Sequence, residues 1–220
     1  MRKKKEPESD PSAIQAVVFD MDGVLVDTVE WHYEALNQAL RPFGFSIGRG
    51  EHNRIYNGLP TRVKLEILSV RKGLPRSLHP AILQKKQDYT LRLITTRCAP
   101  DPMKLDLLKR LTADGYRLAV CSNAMPQTVE SVLARGGMLP WIELYLTNRD
   151  IRRPKPDPEI YRKTCRKLGL APSRCLAVED AACGVASARG AGLRVMRVRR
   201  CEDVTYQRVK ARLQRISGRL

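Results

Sequence analysis

No long hydrophobic run interrupts this sequence. A membrane-crossing helix needs about 20 predominantly apolar residues, and the longest apolar stretches here are far shorter, so no such span is expected. The start, "MRKKKEPESDP", is basic but has no apolar segment behind it. It therefore reads as a solvated tail over residues 1–12 rather than a secretory signal. Aromatic residues are few, 5% of 220 residues, and only three are Phe and two Trp beside seven Tyr, which leaves little material for stacking nucleic-acid bases. No C-x-x-C pair occurs among the six cysteines, and only three histidines accompany them. A zinc site is thus not expected. Free thiols in apolar surroundings suit a reducing, cytoplasmic setting.

Basic charge, by contrast, is abundant. The formal net charge is +17, from 40 Lys and Arg against 23 Asp and Glu. These cations are scattered, with local concentrations at the N-terminus, at "NRDIRRPK", at "RVMRVRR" and in the C-terminal "RVKARLQRISGRL". Scatter of this kind favours a solvated basic surface that attracts small anions over a nucleic-acid stripe. A hydrophobic fraction of 43% and a charged fraction of 29% match a soluble globular chain. The length suits one domain carrying a modest insertion.

The chain alternates between strand and helix signals, except in one region. "AVVF" ends at Asp20, and from residue 29 to 95 only helical text follows. There, Ala35, Leu36, Ala39 and Leu40 recur at helical spacing, as do Val63, Ile67 and Val70, and then Ile82, Leu83, Tyr89 and Leu93. Beyond residue 95, "DPMKLDLLKRLTADG" and "DPEIYRKTCRKLG" each open on Asp-Pro and close on Gly, the expected start and stop of a helix. "YRLAVCSN", "IELYLT", "CLAVED" and "LRVMRV" read as strands between helices. That order predicts an α/β fold: a Rossmann-like, doubly wound parallel sheet formed by residues 13–28 and 96–200. Residues 29–95 form an inserted all-helical unit, and residues 201–220 a basic helix or tail.

Three strands end in polar groups: Asp20 and Asp22, then Ser122 and Asn123, then Glu179 and Asp180. A loop before a helix supplies Lys155. Sites in open parallel sheets lie beyond the C-terminal strand ends, so these groups converge if the strands are neighbours. Four carboxylates together require a positive partner, and Mg2+ fits because it favours oxygen ligands and keeps exchangeable waters. Asp20 and Asp22, two apart on extended chain, face one side. One can attack a bound group while the other moves a proton. Gly23 permits the tight turn that follows.

The text "VVFDMDGVLVDT", "VCSNA", "KPDPEIY" and "AVEDAACGVASARGAG" resembles the haloacid dehalogenase superfamily. It is most similar to the branch of β-phosphoglucomutase and of sugar-phosphate and phosphoglycolate phosphatases. The resemblance implies that Asp20 is a nucleophile forming an aspartyl-phosphate and Asp22 a general acid and base. It implies phosphate contacts from Ser122, Asn123 and Lys155, and Mg2+ held by Asp20, the Asp22 carbonyl, Glu179 and Asp180. The helical unit becomes a mobile cap, with His32, Arg62 and Lys86 as candidate substrate-facing residues. The expected activity is a phosphatase of a small phosphorylated metabolite. A β-phosphoglucomutase-like isomerase, or a basic binding or regulatory protein that keeps the fold, are the alternatives. Membrane and nucleic-acid partners are not expected, and the oligomeric state is left open.

Overall fold

A computed structural model describes residues 13–218 of the chain. The expected N-terminal tail over 1–12 lies outside these residues. Five parallel strands form one sheet in the order β3-β2-β1-β4-β5: β1 (Ala16–Phe19), β2 (Arg117–Cys121), β3 (Leu144–Leu146), β4 (Cys175–Glu179) and β5 (Arg194–Arg197). Pairing is in simple register, with Val17 opposite Leu118 on one side and Leu176 on the other. β1 thus lies between β2 and β4, which brings the polar ends of all three strands together.

Each central strand divides its side chains between two apolar layers, as period-two geometry demands. Val17 and Phe19 of β1, Leu118 and Val120 of β2, and Leu176 and Val178 of β4 enter one layer. It is closed by α5 (Pro102–Ala113), α6 (Pro126–Arg135) and α9 (Tyr206–Ile216). Ala16, Val18, Ala119, Cys121, Cys175 and Ala177 point the other way, onto α7 (Glu159–Leu168) and α8 (Ala182–Gly190). Burial on both faces explains why these strands read as unbroken apolar runs rather than alternating ones. The doubly wound arrangement expected from the sequence is the one observed.

Between β1 and β2 stand α1 (Val29–Leu40), α2 (Arg49–Glu51, continued by a π-helical stretch over His52–Tyr56), α3 (Thr61–Lys72) and α4 (His79–Arg97). They share their own apolar cluster, built on Leu36, Leu40, Tyr56, Leu65, Leu68 and Ile82. α4 runs to Arg97, two residues beyond the expected boundary at 95.

The α3 face differs from its expectation. Val63 is 38% exposed and Val70 is 80% exposed, while Ile67 is half-buried against the cluster, so only the middle of that row meets the core. The buried row is Lys64, Leu65 and Leu68. Two rows share this helix, and the one carrying a lysine packs inward because Leu65 and Leu68 meet Leu36, Leu40 and Ile82 there.

Helix ends follow the punctuation in the sequence. The Asp101 side chain accepts a bond from Met103 N–H ahead of α5. Asp157 does the same for the Glu159 N–H, 2.9 Å away, at the start of α7. The C-terminal segment forms α9, capped by the Thr205 hydroxyl.

Candidate active site

The C-terminal ends of β1, β2 and β4 open into a cleft of about 1040 Å³, roofed by α1, α3 and α4. Asp20, Asp22, Asn123, Lys155, Glu179 and Asp180 all line it, while Ser122 lies buried at its floor. The structure therefore brings together every core residue that the sequence singled out.

Lys155 is the electrostatic centre. Its side chain is 3% exposed, and the ammonium donates to Asp20 Oδ1 at 2.8 Å, to Glu179 Oε1 at 2.6 Å and to the Cys121 carbonyl at 2.8 Å. Burial opposes its charge, but the carboxylates of Asp20 and Glu179 outweigh that and hold its pKa well above the ordinary lysine value. The loop bearing Lys155 is fixed by Asn123, whose Oδ1 accepts the Lys155 N–H at 3.1 Å and whose Nδ2 donates to the Lys155 carbonyl. The Asn123 amide thus ties the Lys155 loop to the end of β2 while the residue still lines the cleft. Tyr161 of α7 donates its hydroxyl to Glu179 from beneath.

Asp22 lies in different company. Its carboxylate accepts from the Thr28 hydroxyl, from His32 Nε2 at 3.0 Å and from the Ser122 hydroxyl at 3.3 Å. Behind it, Lys86 Nζ stands 3.1 Å from His32 Nδ1. These contacts assign the His32 tautomer: Nε2 carries the proton and Nδ1 accepts from the ammonium. Burial alone would raise the Asp22 pKa; the His32 and Thr28 bonds and the Lys86 charge prevail and hold it far below the usual range. His32 and Lys86 come from α1 and α4, so the helical unit completes the environment of a core carboxylate. Both line the cleft, as their candidacy as substrate-facing residues requires, and their polar ends also meet Asp22 and each other.

Arg62 lines the cleft but is exposed and bonds to nothing among the described residues. Reading the sequence missed Lys64, which is 6% exposed and also lines the cleft. The signal that betrays it is its position one residue before Leu65 in the row that packs inward.

A cation fits the core side of the cleft. Oxygens of Asp20, Glu179 and Asp180 lie within 4.8 Å of one another. Glu179 Oε2 is buried without a hydrogen-bond partner among the described residues, a costly state for a carboxylate oxygen. Burial, then Glu179, raises the Asp20 pKa despite Lys155, and burial with Glu179 raises Asp180 to about 6. One lysine is not enough positive charge for this cluster. The Asp22 carboxylate is not part of this group and bonds Thr28, His32 and Ser122 instead.

The profile of the haloacid dehalogenase-like hydrolases matches residues 17–198. The chain belongs to that family. It is 28% identical to protein CbbY of Rhodobacter capsulatus, with 83% of this chain and 84% of that protein covered. It is 27% identical to a phosphorylated carbohydrates phosphatase of Thermotoga maritima, with 82% of each covered. Among solved structures, CbbY of Rhodobacter sphaeroides in complex with phosphate superposes with a TM-score of 0.76 at 26% identity, covering 84% of this chain and 85% of that one. The sequence reading of a phosphoric monoester hydrolase agrees with this membership.

Proposed function

We propose that the protein is a magnesium-dependent phosphatase of a small phosphorylated metabolite of the sugar-phosphate type, working through an aspartyl-phosphate on Asp20. The observation that carries this reading is the division of labour between two carboxylates two residues apart. Asp20 is clamped by Lys155 beside Glu179 and Asp180, whereas Asp22 is wired to Ser122, Thr28 and His32. One is placed to bond a phosphorus atom and the other to move a proton.

Asp20 Oδ attacks phosphorus, and the bond from phosphorus to the ester oxygen breaks. The leaving oxygen takes a proton from Asp22. Water then attacks the acyl phosphate and gives its proton to Asp22, releasing inorganic phosphate and free Asp20. In the structure Asp22 is held ionised, the form that accepts a proton. An arriving phosphoryl dianion opposes that charge and favours protonation, which readies Asp22 for the first step. Lys155 keeps Asp20 ionised and meets the phosphoryl oxygens; Ser122 offers a hydroxyl. Asp20, Asp180, Glu179 and the Asp22 carbonyl would hold Mg2+, which neutralises phosphoryl charge when bound. The helical roof keeps bulk water from the acyl phosphate.

The test is phosphate release from a panel of sugar phosphates, with Mg2+ and with chelator. Release should require the metal, and Asp20→Asn should abolish it while thermal unfolding stays cooperative. Substantial turnover by a verified Asp20→Asn protein removes the nucleophile assignment. Fast isomerisation of a hexose phosphate with negligible phosphate release turns the reading to a mutase.

A further inference from the structure

Four of the six thiols pair with an oxygen. Cys98 meets the Val132 carbonyl, Cys121 the Thr164 hydroxyl, Cys183 the Gly58 carbonyl and Cys201 the Val24 carbonyl. The remaining two meet each other. Cys165 of α7 and Cys175, the first residue of β4, bring their sulfur atoms to 3.7 Å. Both are buried in the apolar layer that the sheet shares with α7 and α8. Cys175 starts its strand, so the pair lies at the far end of the sheet from the cleft that holds Asp20 and Glu179.

Cys165 is buried but not enclosed. A second, smaller cleft of about 340 Å³ lies beside α7, and Cys165 forms part of its wall together with Arg162, Arg166, Leu170 and Pro172. One water needs only about 10–15 Å³ of such space, so a small oxidant has room next to this sulfur. Cys175 does not line the cleft and stands behind Cys165. The two thiols are also unequal in acidity. The Cys175 S–H can donate to a Cys165 thiolate, which holds the Cys165 pKa below the ordinary cysteine value against the effect of burial. The same contact, and then burial, holds that of Cys175 above it. Cys165 is therefore the attacking sulfur and Cys175 the resolving one.

We propose that Cys165 and Cys175 are a modification site, a dithiol that a small hydroperoxide entering by this cleft converts to an intramolecular disulfide. The Cys165 thiolate attacks one oxygen of the peroxide and the O–O bond breaks. Hydroxide leaves and takes up the thiol proton as water, and Cys165 becomes a sulfenic acid, two electrons poorer. The Cys175 sulfur then attacks the Cys165 sulfur, the S–O bond breaks, and hydroxide departs with the Cys175 proton as a second water. One peroxide is reduced and two thiols are oxidised. The sulfur atoms close from 3.7 Å to about 2.05 Å. The new bond fastens α7 to the first residue of β4, while Tyr161, one turn before Cys165 on α7, already holds the last residue, Glu179. None of this depends on the reaction at Asp20.

The experiment treats the reduced full-length protein with hydrogen peroxide and counts the remaining thiols with a maleimide after unfolding. Two of the six thiols should be lost together. They should go ahead of Cys183 and Cys201, which are less buried but whose pKa values burial raises. Dithiothreitol should restore both. Cleavage after Lys and Arg places Cys165 and Cys175 on separate peptides, so a linked pair lighter by two hydrogens identifies the bond. Cys183 shares a peptide with Cys175, and the link should persist in Cys183→Ser. In Cys175→Ser the link should be absent, and dimedone should trap a sulfenic acid on Cys165. A native protein in which Cys165 and Cys175 stay unlinked, or are lost only after Cys183 and Cys201, overturns the proposal without recourse to any variant. So does a link that vanishes in Cys183→Ser, or a folded Cys175→Ser protein whose Cys165 takes no dimedone.

Discussion

Lys155→Met removes one ammonium and strands two acids. Asp20 and Glu179 both accept from that group, at 2.8 Å and 2.6 Å, and Glu179 is fully buried. Deleting one partner of a buried ion pair costs about 3–5 kcal/mol, because the remaining charge has lost its solvation and its counter-ion. For a chain of this size each kcal/mol moves Tm by about 2–4 °C, so a drop of roughly 10 °C is expected in chelator at pH 7.5. Much of the cost should vanish in the double variant Lys155→Met/Glu179→Gln, since the amide leaves one fewer stranded charge. Added Mg2+ should restore part of the loss in the single variant by supplying the missing positive charge. The assay is thermal unfolding of the four proteins of the cycle, read by circular dichroism. A Lys155→Met protein within about 1 kcal/mol of the parent would refute the claim that Lys155 holds these carboxylates in place. So would additive costs around the cycle.

Two further perturbations address the same cluster. Gly184 lies in the first turn of α8, where a Cβ would stand 2.1 Å from Glu179 Oε2 and 2.2 Å from its Cδ. Gly to Ala inside a helix normally stabilises by about 1 kcal/mol; here Glu179 is pinned by Lys155 and Tyr161 and cannot yield, so Gly184→Ala should instead destabilise by about 1–2 kcal/mol and depress phosphate release, and a stabilised, fully active variant would contradict this packing. Asp180 supplies the pH test. Its folded pKa of about 6 lies above the model-peptide 3.8, so the folded state holds that proton more tightly; the resulting stability is fully present below pH 3.8 and is lost as pH rises through 6. In chelator, Asp180→Asn should therefore gain Tm relative to the native protein at pH 7.5 and gain much less at pH 5, whereas an equal gap at both values would dismiss the shift.

The core of the site was legible because its chemistry sits at strand ends. A parallel strand buried on both faces must be apolar, so the first polar residue marks where the sheet stops and the cleft begins. Asp20, Ser122 and Glu179 are read in this way, and Lys155 follows from the loop that opens α7. What was not legible is which polar group each side chain spends its bonds on. Asn123 reads as a phosphate contact, and it lines the cleft, but the sequence does not show that its amide also pairs with both backbone groups of Lys155. That pairing spans 32 residues, and neither residue's immediate sequence context announces it.

The helical wall shows a different limit, and α3 states it most clearly. Periodicity finds a helix in "TRVKLEILSV" and also finds an apolar row, but a helix with two candidate rows does not say which one turns inward. The outcome depends on what the remaining elements offer: Leu65 and Leu68 meet Leu36, Leu40 and Ile82 in one cluster, and that contact carries Lys64 inside with them. The resemblance of the turn to a substrate-facing one picks out Arg62, which does line the cleft, but it does not show that packing brings Lys64 there as well. Burial of Lys64 is thus a by-product of the leucine row, and its chemical meaning depends on what lies opposite. Facing a carboxylate, it would be an internal ion pair of structural interest alone. Here it lines an open cleft, on a wall that contributes cations and no acid.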